Sequence, residues 1–213
     1  MNFKQSPMYS LSNGTPKKGF ILHGTLGGYE GAVSWLSTNR TEHPSSAHYV
    51  IGKNVGEVIQ LVKNEDVAWH AGTVQNPTVD AQGKLLKDIR GKYINPNEYM
   101  IGIEFVWFVG DSLTEWQYTT AIEIIKSSGI SNPILLDHNS ICDYKQDKLL
   151  FAVKEITRRM QGPVVDIKKL RSIAAFALRD WQVANGIMVF ANETNPDKIQ
   201  FGPLSAAKFN NIN

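Results

Sequence analysis

Cysteine is nearly absent from this 213-residue chain: Cys142 stands alone, so an internal disulfide framework is excluded. Excess charge of either sign is missing too. Twenty-two Lys and Arg face twenty Asp and Glu, and a net charge of +2 is not that of a polyanion binder, which argues against nucleic acid as a partner. No apolar run approaches the roughly 20 residues that span a bilayer, so no membrane span is expected. Met1 to Phe20 is polar and lacks the apolar core of a secretory signal. The expectation is a chain made in the cytoplasm without a signal peptide. If its substrate lies beyond the membrane, something else must deliver it.

What is present suits a folded protein. Apolar residues make up 42% and charged residues 20%, enough for a sizeable core without staples, which excludes a largely disordered chain. Gly19 to His23 reads as a strand, Gly24 to Gly31 as a Gly-rich loop, and Ala32 to Leu36 as a short helix. Runs at His48–Ile51 and Val58–Val62 around a Gly/Asn turn predict a hairpin. Residues 73–98 read as one long loop, and Met100 to Val109 as a buried central strand. Thr114-Glu115-Trp116-Gln117 has capping-box spacing and opens a helix that stops near Gly129. Pro133 to Leu136 is a further short strand, and a helix from Lys148 ends at Gly162-Pro163. Interleaved strands and helices give an α/β class, with a central mixed β-sheet flanked by helices and a small helical C-terminal segment. Gly162-Pro163 marks the expected boundary between a main domain over 1–162 and a helical segment over 163–213.

Two histidines, His23 and His138, each end a predicted strand, the edge where open α/β sheets bind ligands. If those strands are neighbours, both imidazoles enter one cleft. Cys142, Asp143 and Asp147 are available as a third ligand, and two His with one carboxylate would leave a zinc ion an open position. Glu104 interrupts an apolar run. It is either a residue reaching water or a partner, or a general base whose pKa an apolar wall raises.

Five segments now fall in order: Phe20–Thr25, Ser46–Ile51, Val67–Gly72, Ile101–Glu104, and Asp137-His138 with Lys145-Gln146-Asp147. Together they resemble the type 2 zinc-dependent N-acetylmuramoyl-L-alanine amidases, a family that includes phage lysins, wall-recycling amidases and peptidoglycan recognition proteins. The resemblance covers roughly residues 18–160. It implies one zinc ion held by His23, His138 and Asp147, with Cys142 off the pattern. It implies Glu104 as the catalytic carboxylate, and Lys145 as an electrostatic stabiliser of the oxyanion. His48, Trp69 and His70 match groove positions expected to touch substrate. The implied bond joins the lactyl group of N-acetylmuramic acid to L-alanine, so peptidoglycan is the expected partner, met by a monomer.

Two departures stand out. Ala47 replaces a tyrosine that some relatives carry before the hairpin histidine. Lys148-Leu149 replaces the Pro-Gly that many relatives place after the third ligand. Farther on, Ala177–Ile187 and Phe201–Phe209 resemble parts of a small helical peptidoglycan-binding unit. That tail favours a phage-type endolysin released through a holin-type pore. A recycling amidase and a non-catalytic recognition module are the alternatives. A papain-like cysteine amidase is excluded, because no histidine follows His138 to serve Cys142.

Overall fold

The computed structural model describes residues 1–12 and 14–162, and residues 1–162 form one compact unit. In chain order its elements begin with β1 (Asn2–Phe3), β2 (Tyr9–Ser10), β3 (Gly19–Gly24), α1 (Tyr29–Leu36), β4 (Tyr49–Ile51), β5 (Val58–Gln60) and β6 (Val67–Ala68). They continue with α2 (Val79–Lys84), α3 (Pro96–Tyr99), β7 (Met100–Phe105), α4 (Glu115–Ser127), β8 (Ile134–Asp137), α5 (His138–Ile141) and α6 (Leu150–Met160). Six strands form one sheet in the order β1-β5-β4-β7-β3-β8, and β2 pairs with β6 apart from it. The strands β4, β7, β3 and β8 run parallel, whereas β5 is antiparallel to β4, so the sheet is mixed as expected.

Alternation along the central strands sorts their side chains onto two faces. Phe20 and Leu22 of β3 join Ile101, Ile103 and Phe105 of β7 in the larger core, against Ala121, Ile124 and Ile125 of α4 and Ala152, Val153 and Ile156 of α6. Ile21 and Met100 face the other way, toward Ala81 of α2, Tyr99 of α3 and Ile141 of α5. Beside them Val50 meets Ala32, Val33 and Leu36 of α1. Burial on both faces is why the β7 sequence is almost unbroken apolar. Glu104 lies two residues from Gly102 and four from Met100, hence on the face turned away from α4 and α6.

The capping box forms as its spacing predicts. The Thr114 hydroxyl accepts the Gln117 N–H, and the Gln117 side chain accepts the Thr114 N–H. Gly129 follows the helix with φ of 72°, a left-handed position that favours glycine.

Two expectations are corrected. The central strand ends at Phe105 rather than Val109, because its neighbours end there: Phe105 is opposite both Gly24 and Ile51, and no strand remains to pair beyond. Phe108 and Val109 are exposed. Residues 73–98 are not one loop but contain α2 and part of α3. Each starts on a side-chain cap, Thr78 accepting from Ala81 N–H and Asn95 from Asn97 N–H, with Pro96 at the first turn of α3. The helix and binding unit read at residues 163–213 lie outside the described residues. Among the described residues no helix is long and apolar enough to cross a membrane.

Candidate metal centre and groove

The predicted juxtaposition rests on strand order. β3 and β8 are parallel neighbours, with Leu22 opposite Asp137, so the next residues, His23 and His138, emerge side by side at the C-terminal edge. Asp137 builds that corner. Its buried carboxylate accepts the Ser140 hydroxyl through one oxygen and the Leu149 N–H at 3.0 Å through the other. One side chain thereby ties the turn carrying His138 to the start of α6, and the chain between them brings Asp147 back. The Asn139 amide donates to the Lys145 carbonyl at 2.7 Å and holds the same loop.

The outcome is a buried trio. His23, His138 and Asp147 place one ligand atom each within 4.8 Å of one another, the only such group among the described residues. His23 Nδ1 lies 2.9 Å from His138 Nδ1, and Asp147 Oδ2 lies 2.9 Å from His138 Nδ1 and 3.4 Å from His23 Nδ1. The other acids in the loop are elsewhere: Cys142 is buried in the apolar cluster with Ile21 and Tyr99, and Asp143 accepts from Asn76 on the surface.

The hydrogen-bond network assigns the tautomers. His138 Nε2 is 3.1 Å from the Ala71 carbonyl, which can only accept, so Nε2 carries the proton and Nδ1 a lone pair. His70 Nε2 likewise donates to the Met100 carbonyl at 3.3 Å, leaving its Nδ1 as an acceptor. His23 Nε2 lies 3.0 Å from that acceptor and must donate, which leaves His23 Nδ1 with a lone pair as well. Two imidazole lone pairs and a carboxylate oxygen therefore converge with no hydrogen between them. Such a set calls for a cation. Burial first, then the neighbouring His138, lowers His23 to about 4, so that imidazole does not carry a second proton near neutrality. The N, N, O donor set fits a divalent transition ion.

Glu104 stands next to this trio. It is the direct cross-strand partner of His23 on the same sheet face, half-buried, and it lines a groove of about 340 Å³. Burial first, then the Asp147 charge, pushes its carboxyl up to about 8, against the opposing pull of Lys145. A carboxyl near neutrality can both take and give a proton. Lys145 acts on His23 as well as Glu104, so its charge falls on the centre itself. The groove runs from Glu104 and His70 between the Gly24–Gly27 loop, α1, and Ser45-Ser46.

The remaining expected residues divide. His70 is brought to the site, but as a partner of His23. Its ring lies directly on β7 where Gly102 has no side chain: a Cβ there would come within 2.5 Å of His70 Cγ. His48 is fully buried with both nitrogens engaged. Its Nδ1 accepts the Gly102 N–H at 2.9 Å and its Nε2 donates to the Asp66 carbonyl at 3.2 Å, so it braces the strands behind His70. Burial, then Lys17, lowers it to about 3. Trp69 donates from its backbone to Ser46 Oγ at 2.9 Å and from Nε1 to Ser10 Oγ at 3.1 Å, which fixes a groove-wall serine and anchors β2. Gly102, Asp137 and Ala71 escape a reading of the sequence, because their roles consist of a missing side chain, a clamp and a backbone carbonyl.

Comparison with known proteins follows the same lines. A family model described as N-acetylmuramoyl-L-alanine amidase matches residues 13–148. N-acetylmuramoyl-L-alanine amidase A of Achromobacter lyticus is 41% identical over 54 residues, which are 24% of this chain and 28% of that protein, so little more than a quarter of that relative is spanned. A selenomethionine derivative of AmpD shares the fold with a TM-score of 0.50 at 20% identity, over 73% of this chain and 93% of AmpD. PlyL does so with a TM-score of 0.50 at 18% identity, over 73% of this chain and 96% of its own. With the family model covering well over half of its length, including His23, Glu104, His138 and Asp147, this chain belongs to the type 2 N-acetylmuramoyl-L-alanine amidase family.

Proposed function

We propose that this chain is a zinc-dependent amidase that hydrolyses the bond between the lactyl group of N-acetylmuramic acid and the L-alanine of the peptidoglycan stem. The observation that carries the reading is the convergence of two imidazole lone pairs and the Asp147 carboxylate beside a half-buried Glu104. His23, His138 and Asp147 would hold the ion, which when bound supplies Lewis-acid polarisation of the carbonyl and acidifies water. Glu104 takes a proton from the attacking water and delivers it to the departing L-alanine nitrogen, so the products are a lactyl carboxylate and a free amine. Lys145 opposes the negative charge that builds on the carbonyl oxygen. His70 and the Ala71 carbonyl keep the two imidazoles in the ligating tautomer, as hydrogen-bond acceptors behind ligating histidines do at metal centres generally.

Within this reading we assign the chain a lytic role, as a phage-type endolysin acting on intact wall after release through a holin-type pore. The likeness of residues 163–213 to a wall-binding unit supports it over recycling of soluble fragments. The test is digestion of purified sacculi with product analysis. The reading expects new amino groups on L-alanine and no new reducing ends, abolished by chelation and restored by zinc. New reducing ends would contradict the bond assigned, and cleavage of soluble muropeptides without attack on sacculi would contradict the lytic role.

A further inference from the structure

The two acceptors that fix the ligating imidazoles are neighbours in the chain. His70 Nδ1 takes the His23 Nε2–H at 3.0 Å, and the Ala71 carbonyl takes the His138 Nε2–H at 3.1 Å. Both residues lie just past β6, where the backbone has left the sheet. The Trp69 carbonyl still accepts the Ser46 N–H, but among the described residues neither the His70 nor the Ala71 N–H donates to a backbone carbonyl. Both residues are buried, so those two N–H groups need another acceptor.

One atom supplies it. Asn97 Oδ1 accepts the His70 N–H at 3.1 Å and the Ala71 N–H at 2.8 Å. Only the oxygen of a carboxamide accepts, so two donors on one atom assign which way the amide points. Asn97 is 7% exposed and is the second residue of the four-residue α3. Asparagine is a mediocre helix former, so helix propensity does not account for it there. The short helix is held by its neighbours instead. Asn95 accepts the Asn97 N–H at 3.1 Å, and the Lys17 ammonium donates to the Asn97 and Glu98 carbonyls at 3.4 Å and 3.2 Å. The amide oxygen is therefore presented from a clamped turn.

We infer that Asn97 is a positioning residue for the metal centre: its one amide oxygen holds in place the two acceptors that set the tautomers of both His23 and His138. Asn97 acts through His70 and Ala71. When the oxygen is removed, the backbone at both is released and both imidazoles lose a fixed partner together, whereas loss of the His70 ring deprives His23 alone. This rests on the metal centre of the amidase reading and adds a residue on which both histidine ligands depend.

The test uses the full chain beside Asn97→Ala, Asn97→Ser and Asn97→Asp. Zinc affinity is measured by chelator competition, and the imidazole tautomers of the metal-free proteins by nitrogen–proton correlation NMR on isotope-labelled histidine. Asn97→Ala should bind zinc about tenfold more weakly, and both His23 and His138 should lose their uniform Nε2–H state. Asn97→Asp keeps the accepting oxygen and should bring both readouts back toward the wild type. A lower melting temperature with wild-type affinity and tautomers in Asn97→Ala would mark a residue that only supports the fold, and would overturn the inference. So would a tautomer change at His23 alone, or an Asn97→Asp protein as weak as Asn97→Ala. Asn97→Ser is the milder truncation and carries the same comparison if Asn97→Ala does not fold. A wild-type chain that binds no zinc would overturn the metal reading and the inference with it, whereas wild-type binding with no effect at Asn97 overturns the inference alone.

Discussion

Replacing His70 by alanine tests whether the centre depends on tautomer control. His70 offers His23 the acceptor that holds its proton on Nε2, at 3.0 Å, and is itself held by the Met100 carbonyl at 3.3 Å. Without it, His23 either keeps Nε2–H unpaired in a buried site or moves the proton to Nδ1 and ceases to be a ligand. An unsatisfied buried donor costs about 1–3 kcal/mol, and loss of an outer-sphere partner typically weakens metal binding by about 10–100-fold, on the order of the same energy. His70→Ala should therefore bind zinc about 10–100-fold more weakly in a competition titration with a chromophoric chelator. His48→Gln, one layer farther back, should change affinity much less. A His70→Ala protein that remains folded by circular dichroism and binds zinc with wild-type affinity would refute the reasoning.

Three further perturbations follow from named contacts. Gly102→Ala places a Cβ within 2.5 Å of His70 Cγ and must move that ring, so zinc affinity should fall and thermal stability should drop together. Lys145→Met removes the charge that pulls the Glu104 pKa down, so the acidic limb of the kcat/KM profile should move to higher pH; a limb that stays in place or moves lower would contradict the coupling. His48 has a folded pKa of about 3 against an ordinary 6.5, so the unfolded chain binds more protons between those values and stability falls as pH drops. Its share of the loss between pH 7 and pH 5 is about 2 kcal/mol. Urea midpoints of the chelator-treated protein should decline over that interval, and less steeply for His48→Gln.

Much of the centre was legible because its parts sit at strand ends. His23 and His138 follow apolar runs, and Glu104 interrupts one, so each announces an edge or an anomaly without any knowledge of the fold. Asp147 was not separable from Cys142 and Asp143 on residue chemistry, and only the resemblance singled it out. The structure supplies the physical reason: the Asp137 clamp folds the loop so that Asp147 returns, whereas Cys142 is carried into the apolar layer. The inward role of His48 and the partnership of His70 with His23 depend on contacts between segments far apart in the chain, which spacing does not encode. Short elements were lost for a related reason. Helices of six and four residues, α2 and α3, complete too few turns to show a period, and the end of β7 is set by where β3 and β4 stop.

The most direct test of the account is Glu104→Gln, which keeps the shape and removes the proton-carrying oxygen. Amine release from sacculi and zinc affinity should be measured on the same preparation. The account predicts a fall in kcat of about 100-fold or more with zinc bound as tightly as in the wild type. Retained amine release in Glu104→Gln would contradict the role given to Glu104, and failure of the wild-type protein to bind zinc would contradict the centre built from His23, His138 and Asp147.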